Sequence, residues 1–308
     1  MQRIGAISRL TLDIILTGLH HLPETGEEIQ AKAMQLSLGG GPLVTPVLLG
    51  RMGMPVKFAT FLDDSTEARF AETLLKAQGC SDYTNFFQGG QPPVTVSIVM
   101  PKDNDRSIIS YEAPLTMPSA EQMFSFFQDC DVMLMPKQPD LAMKLKHNGT
   151  AIVLDTTDFD APPSRAYLSL LEIITPNRRE ASAITGKTTP EGALLELVSA
   201  GVRHPLIKLG AAGCMILYNG APCIVPPAGP ACSVDSTGAG DNFLAGLLYG
   251  FARGWRFIDC VRMANVFGGL STTATGVFGA NITEQSAHRL YFHCYGELPK
   301  ERDTACGI

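Results

Sequence analysis

Between positions 119 and 209 the chain repeats one pattern, a helix-like stretch followed by a short apolar run of strand length. Strands are expected at 132–135, 151–154, 172–175 and 207–209, with helices near 119–127, 139–146, 164–171 and one starting at Asn177. Strands that alternate with helices of this length pair in parallel, because only a crossover of a dozen or more residues returns the chain to the same end of a sheet. Both faces of such a sheet are covered by helices, and ligands bind beyond the carboxyl ends of its strands. The polar residues just after each strand are therefore the first places to look for chemistry.

The N-terminal part keeps this rhythm only in places. Residues 4–7 and 12–16 are β-prone, with Asp13 among the apolar residues of the second run. Residues 56–61 read as a strand, and 66–78 as a helix ended by Gly79. Residues 94–100 and 107–111 flank the polar turn 101–105, which makes a hairpin and breaks the alternation. Together with irregular β-prone sequence before Gly39, this hairpin is assigned to a small lid sheet spanning about 12–38 and 92–113. The expectation is one α/β domain over 1–308, a three-layer doubly wound and mostly parallel sheet carrying a β-sheet lid. Helices are further expected from Ala239, over 257–273 and over 283–293, with a loose polar tail after Glu297.

Several function classes drop out. The net charge is −6 and no Lys/Arg run exceeds two residues, so the chain lacks the basic stripe that nucleic acid or anionic lipid needs. No apolar run approaches the ~20 residues that span a bilayer. Eight cysteines include no CxxC pair, which fits reduced thiols in the cytoplasm better than a metal cage or a disulfide framework. Thr185-Gly186-Lys187-Thr188 imitates the end of a phosphate-binding P-loop, but position 181 is Ala and a helix, not a strand, precedes it. A small-molecule substrate is what remains.

Four stretches carry the candidate chemistry. In Asp235-Ser236-Thr237-Gly238-Ala239-Gly240-Asp241, glycines allow a tight turn into a helix whose apolar residues Leu244, Leu247, Leu248 and Phe251 follow at helical spacing. The first amides of a helix have no partner inside it and carry partial positive charge, so Gly238, Ala239 and Gly240 offer donors to an anion. Asp241 stands beside them, where its carboxylate can take a proton. Gly39-Gly40-Gly41-Pro42 opens a second helix over 43–52 and lets a ligand approach the backbone closely. Asn177 and Glu180, three apart after a strand, share a helix face; they read equally as a cap with its capping-box partner. Finally, the strand at 207–209 runs into Gly210 and Gly213.

Taken together, these motifs resemble the ribokinase-like family of carbohydrate kinases, also called the PfkB family, over nearly the whole chain. D-S-T-G-A-G-D at 235–241, N-R-R-E at 177–180 and G-G-G-P at 39–42 carry the resemblance. It implies ATP-dependent phosphorylation of a hydroxymethyl group on a small sugar such as ribose or fructose, with Asp241 as general base and Gly238 to Asp241 as the anion hole. It implies that Asn177 and Glu180 hold Mg²⁺ through water, and that Thr237, Gly238, Gly240, Lys208, Gly210 and Gly213 meet the phosphates. It also implies that Asn265 and Gly276 line the adenine, and that Asp13, Gly39, Gly40 and Gly41 receive the sugar. Relatives further imply a monovalent cation such as K⁺ near Asp235 and Gly276, and a homodimer joined through the lid.

Two departures bear on the acceptor. Val44 stands where many members have a sugar-binding Asn, and Leu62-Asp63-Asp64 stands where they have G-D-D. A nucleoside acceptor is the alternative, with Tyr111, Phe86 and Phe87 as candidates for an aromatic clamp. An acidic acceptor would draw on Lys137 and Arg106. A further alternative is a non-catalytic sugar-binding relative of the same fold.

Overall fold

Strands of the main sheet are apolar on consecutive positions, not alternate ones, and the computed structural model explains this by burying both of their faces. It describes residues 1–79, 83–86, 94–99, 106–111, 117–135, 138–155, 162–229 and 233–302. The first half runs β1 (Ile4–Ile7), β2 (Thr11–Thr17), β3 (Ala33–Gly39), α1 (Gly41–Arg51), β4 (Val56–Thr60), α2 (Thr66–Ala77), β5 (Thr84–Asn85), β6 (Val94–Val99) and β7 (Arg106–Tyr111). It continues with α3 (Ala120–Phe127), β8 (Val132–Leu134), α4 (Pro139–His147), β9 (Ala151–Leu154), α5 (Arg165–Leu168), β10 (Leu171–Ile174), α6 (Arg178–Thr185) and α7 (Pro190–Ser199). The last part holds β11 (His204–Lys208), β12 (Cys214–Tyr218), β13 (Ala221–Val225), α8 (Ala239–Ala252), α9 (Phe257–Ser271) and α10 (Glu284–Tyr295).

Nine strands form one sheet in the order β13-β12-β11-β10-β9-β8-β1-β4-β5. Pairing is parallel from β11 to β5, and β12 and β13 add an antiparallel edge. From β1 the chain builds outward to β4 and β5 on one side, then returns to β8 on the other. The strand order thus reverses beside β1, the kind of place where doubly wound sheets bind ligands. Ile4, Ala6, Val132 and Leu134 face a core shared with α1, α2, α8, α9 and α10. Ile7, Met133, Ile152 and Leu154 face α3, α4 and α5 on the opposite side. The architecture is the three-layer α/β sheet expected from the alternation.

The lid is a separate four-stranded sheet in the order β3-β2-β6-β7. Its register puts Asp13 opposite Ser37 and Thr95, and Ile14 opposite Leu36 and Val96. Asp13 and Tyr111 therefore lie on opposite faces, because Tyr111 pairs with Val94, which is opposite Leu12. Residues 18–32 are irregular, so β-structure is confined to the end of that segment. The polar turn at 101–105 lies outside the described residues, as do Lys137 and Phe87.

Other expectations change in instructive ways. The helix anticipated at 164–171 is a single turn, Arg165–Leu168; residues 169–170 turn the chain and Leu171 already begins the buried strand β10. α7 starts on a Thr189 cap with Pro190 at its first position, and β13 follows a tight turn at Asn219-Gly220, where both φ angles are positive. Among the described residues, no strand runs up to Asp235; residues 226–229 are irregular after β13 ends at Val225. The described residues that follow Glu297, 298–302, are anchored. Asp259, fully buried, accepts bonds from Tyr291 Oη (2.6 Å), Arg256, Arg262 and the Lys300 amide, and Trp255 bridges Glu301. Buried carboxylates need such partners, and these residues supply them.

The buried thiols of Cys130, Cys214 and Cys260 are pushed up to about 12 by burial, which leaves them unreactive packing groups. Among the described residues, no helix is long and apolar enough to cross a membrane.

Helices α8 and α9 pack together along much of their length, and glycines permit the approach. A Cβ on Gly246 would stand 2.6 Å from Met263 O and 2.8 Å from the Phe267 ring, whereas Gly50 in α1 has open space around it. Alanine improves helix propensity by about 1 kcal/mol at either site, but overpacking costs about 1–3 kcal/mol, and a backbone carbonyl cannot yield. Gly246→Ala is therefore expected to lower the free energy of unfolding by roughly 1–2 kcal/mol, while Gly50→Ala raises it by up to ~1 kcal/mol. Urea denaturation of both variants checks the contrast, and a stabilised Gly246→Ala would contradict the packing argument.

Candidate active site

Two helix N-termini meet where the main sheet reverses order. Gly238, with φ 73°, caps α8, and Ala239, Gly240 and Asp241 form its first turn. Gly40, with φ 99°, caps α1, and Gly41 and Pro42 follow. A Cβ on Gly41 would stand 2.6 Å from Asp241 Oδ1, and one on Gly39 would collide with the Asp13 carboxylate. The glycine run thus lies directly against two carboxylates, one from the lid and one from α8. Thr11 Oγ1 donates to Asp13 Oδ1 (3.0 Å), which helps fix that side chain on β2.

Side-chain bonds fix the approach to α8. Asp235 accepts from the amides of Thr237 and Gly276, each at 2.8 Å, and Asn242 Nδ2 donates to Gly238 O (2.9 Å) and Val277 O (3.1 Å). The 235–238 turn is thereby fastened to the 276–277 segment. These bonds hold the turn in shape, and within it the Ala239 amide donates to Ser236 O (3.2 Å), so the amides of Gly240 and Asp241 are the ones at the helix start that a ligand can meet.

On the other side, β9, β10 and β11 deliver polar groups from their carboxyl ends. Asn177 and Glu180 form a capping box at the start of α6. Asn177 N donates to Glu180 Oε2 (2.8 Å), Asn177 Nδ2 to Oε1 (2.6 Å), and Glu180 N to Asn177 Oδ1 (2.9 Å). The cap forms, and it fixes the Glu180 carboxylate at the start of α6. Lys208 N donates to Pro176 O (2.8 Å), and Asn177 bridges Lys208, so these two positions lie side by side. Lys208 Nζ donates to Asp155 Oδ1 (3.0 Å), which also accepts from Thr175 Oγ1 (2.8 Å). Burial works against the Lys208 ammonium, yet Asp155, and after it Glu180 and Asp241, outweigh that and hold its pKa above the usual lysine value.

A cavity of about 510 Å³ occupies this end of the sheet. Lys208, Gly210, Gly213, Ala239, Gly240 and Asn265 line it. Asn265 is buried and donates through Nδ2 to Pro226 O (2.9 Å), so its amide shapes the cavity wall. A cavity of similar volume at the other end of the sheet is bordered by Arg3 and Lys57, but both cations are already paired with Asp129 and no candidate residue lies there.

Most residues nominated from sequence converge here; Val44, Gly276, Tyr111 and Phe86 do not. Val44 is fully buried in α1, so it packs in the core and does not line the cleft; an apolar β-branched side chain belongs there. Gly276 lies outside the lining of the donor-side cavity and sits beneath the lid, where the Ile15 side chain would be 3.7 Å from its Cβ. Its positive φ of 83° turns the chain back toward Asp235. Tyr111 is 60% exposed on the lid face away from Asp13, and Phe86 stacks edge-on against Phe126, so neither reaches the cleft. Sequence reasoning missed Asp155, Thr175 and Asn242. Asp155 and Thr175 were findable as polar residues just past strands; Asn242 had no signal beyond its neighbours.

Comparison with known proteins agrees with this geometry. Residues 1–283 match the family described as pfkB family carbohydrate kinase. The chain is 24% identical over 294 residues to ribokinase of Arabidopsis thaliana, covering 90% of this chain and 78% of that protein. It is 31% identical over 192 residues to a cytidine kinase of Thermococcus kodakarensis, covering 56% of this chain and 66% of that one. The solved structure of Arabidopsis thaliana ribokinase complexed with ribose and ATP superposes with a TM-score of 0.78 at 23% identity, covering 94% of this chain and 98% of that chain. With a nine-stranded sheet, a four-stranded lid and two glycine-opened helices meeting at Asp241, this chain belongs to the pfkB family of carbohydrate kinases.

Proposed function

We propose that the chain transfers the γ-phosphoryl group of ATP to a hydroxymethyl group of a small sugar of the ribose or fructose kind, acting in the cytoplasm as one kinase domain whose four-stranded sheet is the lid. The observation that carries this reading is the Asp241 carboxylate, held against Gly41 where two helix N-termini face each other. Asp13 and the backbone of Gly39 to Gly41 receive the sugar, which lies between the lid and α8. Asp241 takes the proton of the attacking hydroxyl. The amides of Gly238 to Asp241 receive the charge that builds on the transferred group, a role that needs donors fixed in advance and water kept out.

The donor lies along the cavity from Asn265, at the adenine end, to Lys208, Thr237 and Gly240 at the phosphates. Among the described residues, no three His, Cys, Asp or Glu side chains gather to hold a metal directly. Glu180, pinned by its cap beside the phosphate end, suits a cation that keeps its water shell. When bound, Mg²⁺ supplies positive charge to the β- and γ-phosphoryl oxygens. A monovalent cation such as K⁺ is assigned to the Asp235 and Gly276 loops.

A nucleoside acceptor is favoured less, because the clamp residues Tyr111 and Phe86 point elsewhere. A panel of sugars and nucleosides with ATP, read through ADP release, is expected to show turnover on sugars; turnover on nucleosides alone would overturn the acceptor assignment. Asp241→Ala is expected to reduce kcat by ~10²–10⁴ with little change in acceptor KM. An unaffected kcat would mean that another group is the base, and a wild-type protein inert on every acceptor would favour the non-catalytic alternative.

We also propose that two copies join through their lids. Met34 (65% exposed), Leu36, Ile109 (66%) and Tyr111 share the lid face that turns away from Asp13. An apolar sheet face of this kind is stable when covered. Light scattering is expected to give a dimer mass, reduced to monomer by Leu36→Glu with Ile109→Glu. A monomeric wild-type protein at all concentrations would exclude this arrangement.

A further inference from the structure

We propose that Asp155 is a positioning residue for phosphoryl transfer, acting through the Lys208 ammonium, which it aims at the anion hole at the start of α8. This rests on the kinase reading above. Three observations lead to it.

The first is placement. Lys208 Nζ would be 3.6 Å from a Cβ on Gly240, so the ammonium lies beside the start of α8, where the transferred group is to be received. Lys208 also borders the donor cavity. A lysine ammonium on a flexible stem is a mobile point charge, unlike the fixed fork of an arginine. Left alone, it would sample many rotamers, and its distance to a reacting phosphoryl group would vary.

The second is the restraint. Asp155 Oδ1 holds the ammonium at 3.0 Å, and the same oxygen accepts from Thr175 Oγ1 at 2.8 Å. Asp155 and Thr175 each follow directly on their strands, β9 and β10, so the restraint is anchored on the rigid sheet and not on a loop. The Asp155 side chain is only 8% exposed and that of Lys208 17% exposed. Water therefore cannot readily substitute for either partner.

The third is energetic. Desolvating two charges offsets most of their mutual attraction, so a buried ion pair is a poor way to stabilise a fold. Its value here is orientation. In the resting site Asp155 keeps the ammonium charged and in place, with Glu180 and Asp241 as the next nearest negative groups. An entering γ-phosphoryl group then meets a cation already set at the correct distance, and the ordering cost is met by folding instead of at each turnover.

The test is a cycle of Asp155→Asn, Lys208→Gln and the double variant. For each, kcat and KM for ATP are measured at saturating acceptor, and the affinity for a non-hydrolysable ATP analogue with Mg²⁺ is measured by calorimetry without acceptor. Lys208→Gln is expected to lower kcat/KM for ATP by ~10²-fold, as loss of one fixed charge-stabilising donor does. Asp155→Asn is expected to lower it by about tenfold through misplacement, with acceptor KM unchanged. The double variant should match Lys208→Gln within about twofold, because Asp155 has nothing left to aim. A double variant whose loss is the product of the two single losses, or an Asp155→Asn enzyme equal to wild type, would overturn the proposal. If Asp155→Asn fails to fold, Thr175→Val loosens the same carboxylate with its charge intact. It should give a smaller loss that disappears in the Lys208→Gln background; an equal loss in both backgrounds counts against the proposal. Should the wild-type protein phosphorylate no acceptor, the kinase reading fails, while analogue affinities of the four proteins still decide whether Asp155 acts through Lys208.

Discussion

The start of α8 carries partial positive charge, and the chain has put a carboxylate, Asp241, in the first turn of that same helix. On the proposed kinase reading, anion binding and base chemistry meet at one point, and most of the site follows from keeping the two from interfering. Asp241 lies toward Gly41 and the N-terminus of α1, which gives its carboxylate a place apart from the cavity where Gly240 and Lys208 sit. Any side chain at Gly41 would occupy that place. Glycine there is demanded by space alone, whereas at Gly40 and Gly238 both a positive φ and a Cβ clash, with Arg9 O at 2.3 Å and the Val277 side chain at 2.6 Å, demand it.

Electrostatic balance accounts for the other half. The anions that act on Lys208 at the carboxyl ends of the strands are Asp155, Glu180 and Asp241, and Arg178 and Arg179 open α6 just past β10. On the proposed kinase reading a triphosphate entering such a place needs help from the helix-start amides and from a hydrated cation near Glu180, so the turn before α8 must be set before the ligand arrives. Asp235 and Asn242 set it, through four hydrogen bonds to backbone atoms of the 237–238 and 276–277 segments.

How legible these features were in the sequence depended on how local their causes are. Strands β8, β9 and β10 could be placed because strands buried on both faces read as unbroken apolar runs between helices. The α8 motif could be placed because its glycines, its helix periodicity and its carboxylate fall within a few residues of each other. The Asn177 and Glu180 pair was legible but ambiguous, and the fold makes the cap without removing the carboxylate from the site. Asp155 was not singled out, since its partner Lys208 is 53 positions away and only the sheet brings them together. Long separations also hid the anchoring of the tail, where Asp259 reaches Tyr291 and Lys300. Val44 misled for a different reason. Motif position alone does not say which side of a helix faces the core, and the all-round burial of α1 leaves no polar face to betray it.

Seen from the lid, the same bonds form a short mechanical path. Ile15 lies on the lid face that carries Asp13, two residues along β2, and meets the turn at Gly276. The Gly276 amide is bound by Asp235, whose other oxygen holds the Thr237 amide one residue before the α8 cap. A group gripped by Asp13 on the lid is thus separated from the anion hole by one apolar contact and one bridging carboxylate. The lid meets, through Ile15, the segment whose Gly276 amide Asp235 ties to the turn before α8. On the proposed kinase reading this links acceptor position to anion-hole shape, as a site that must line up two substrates while excluding water requires.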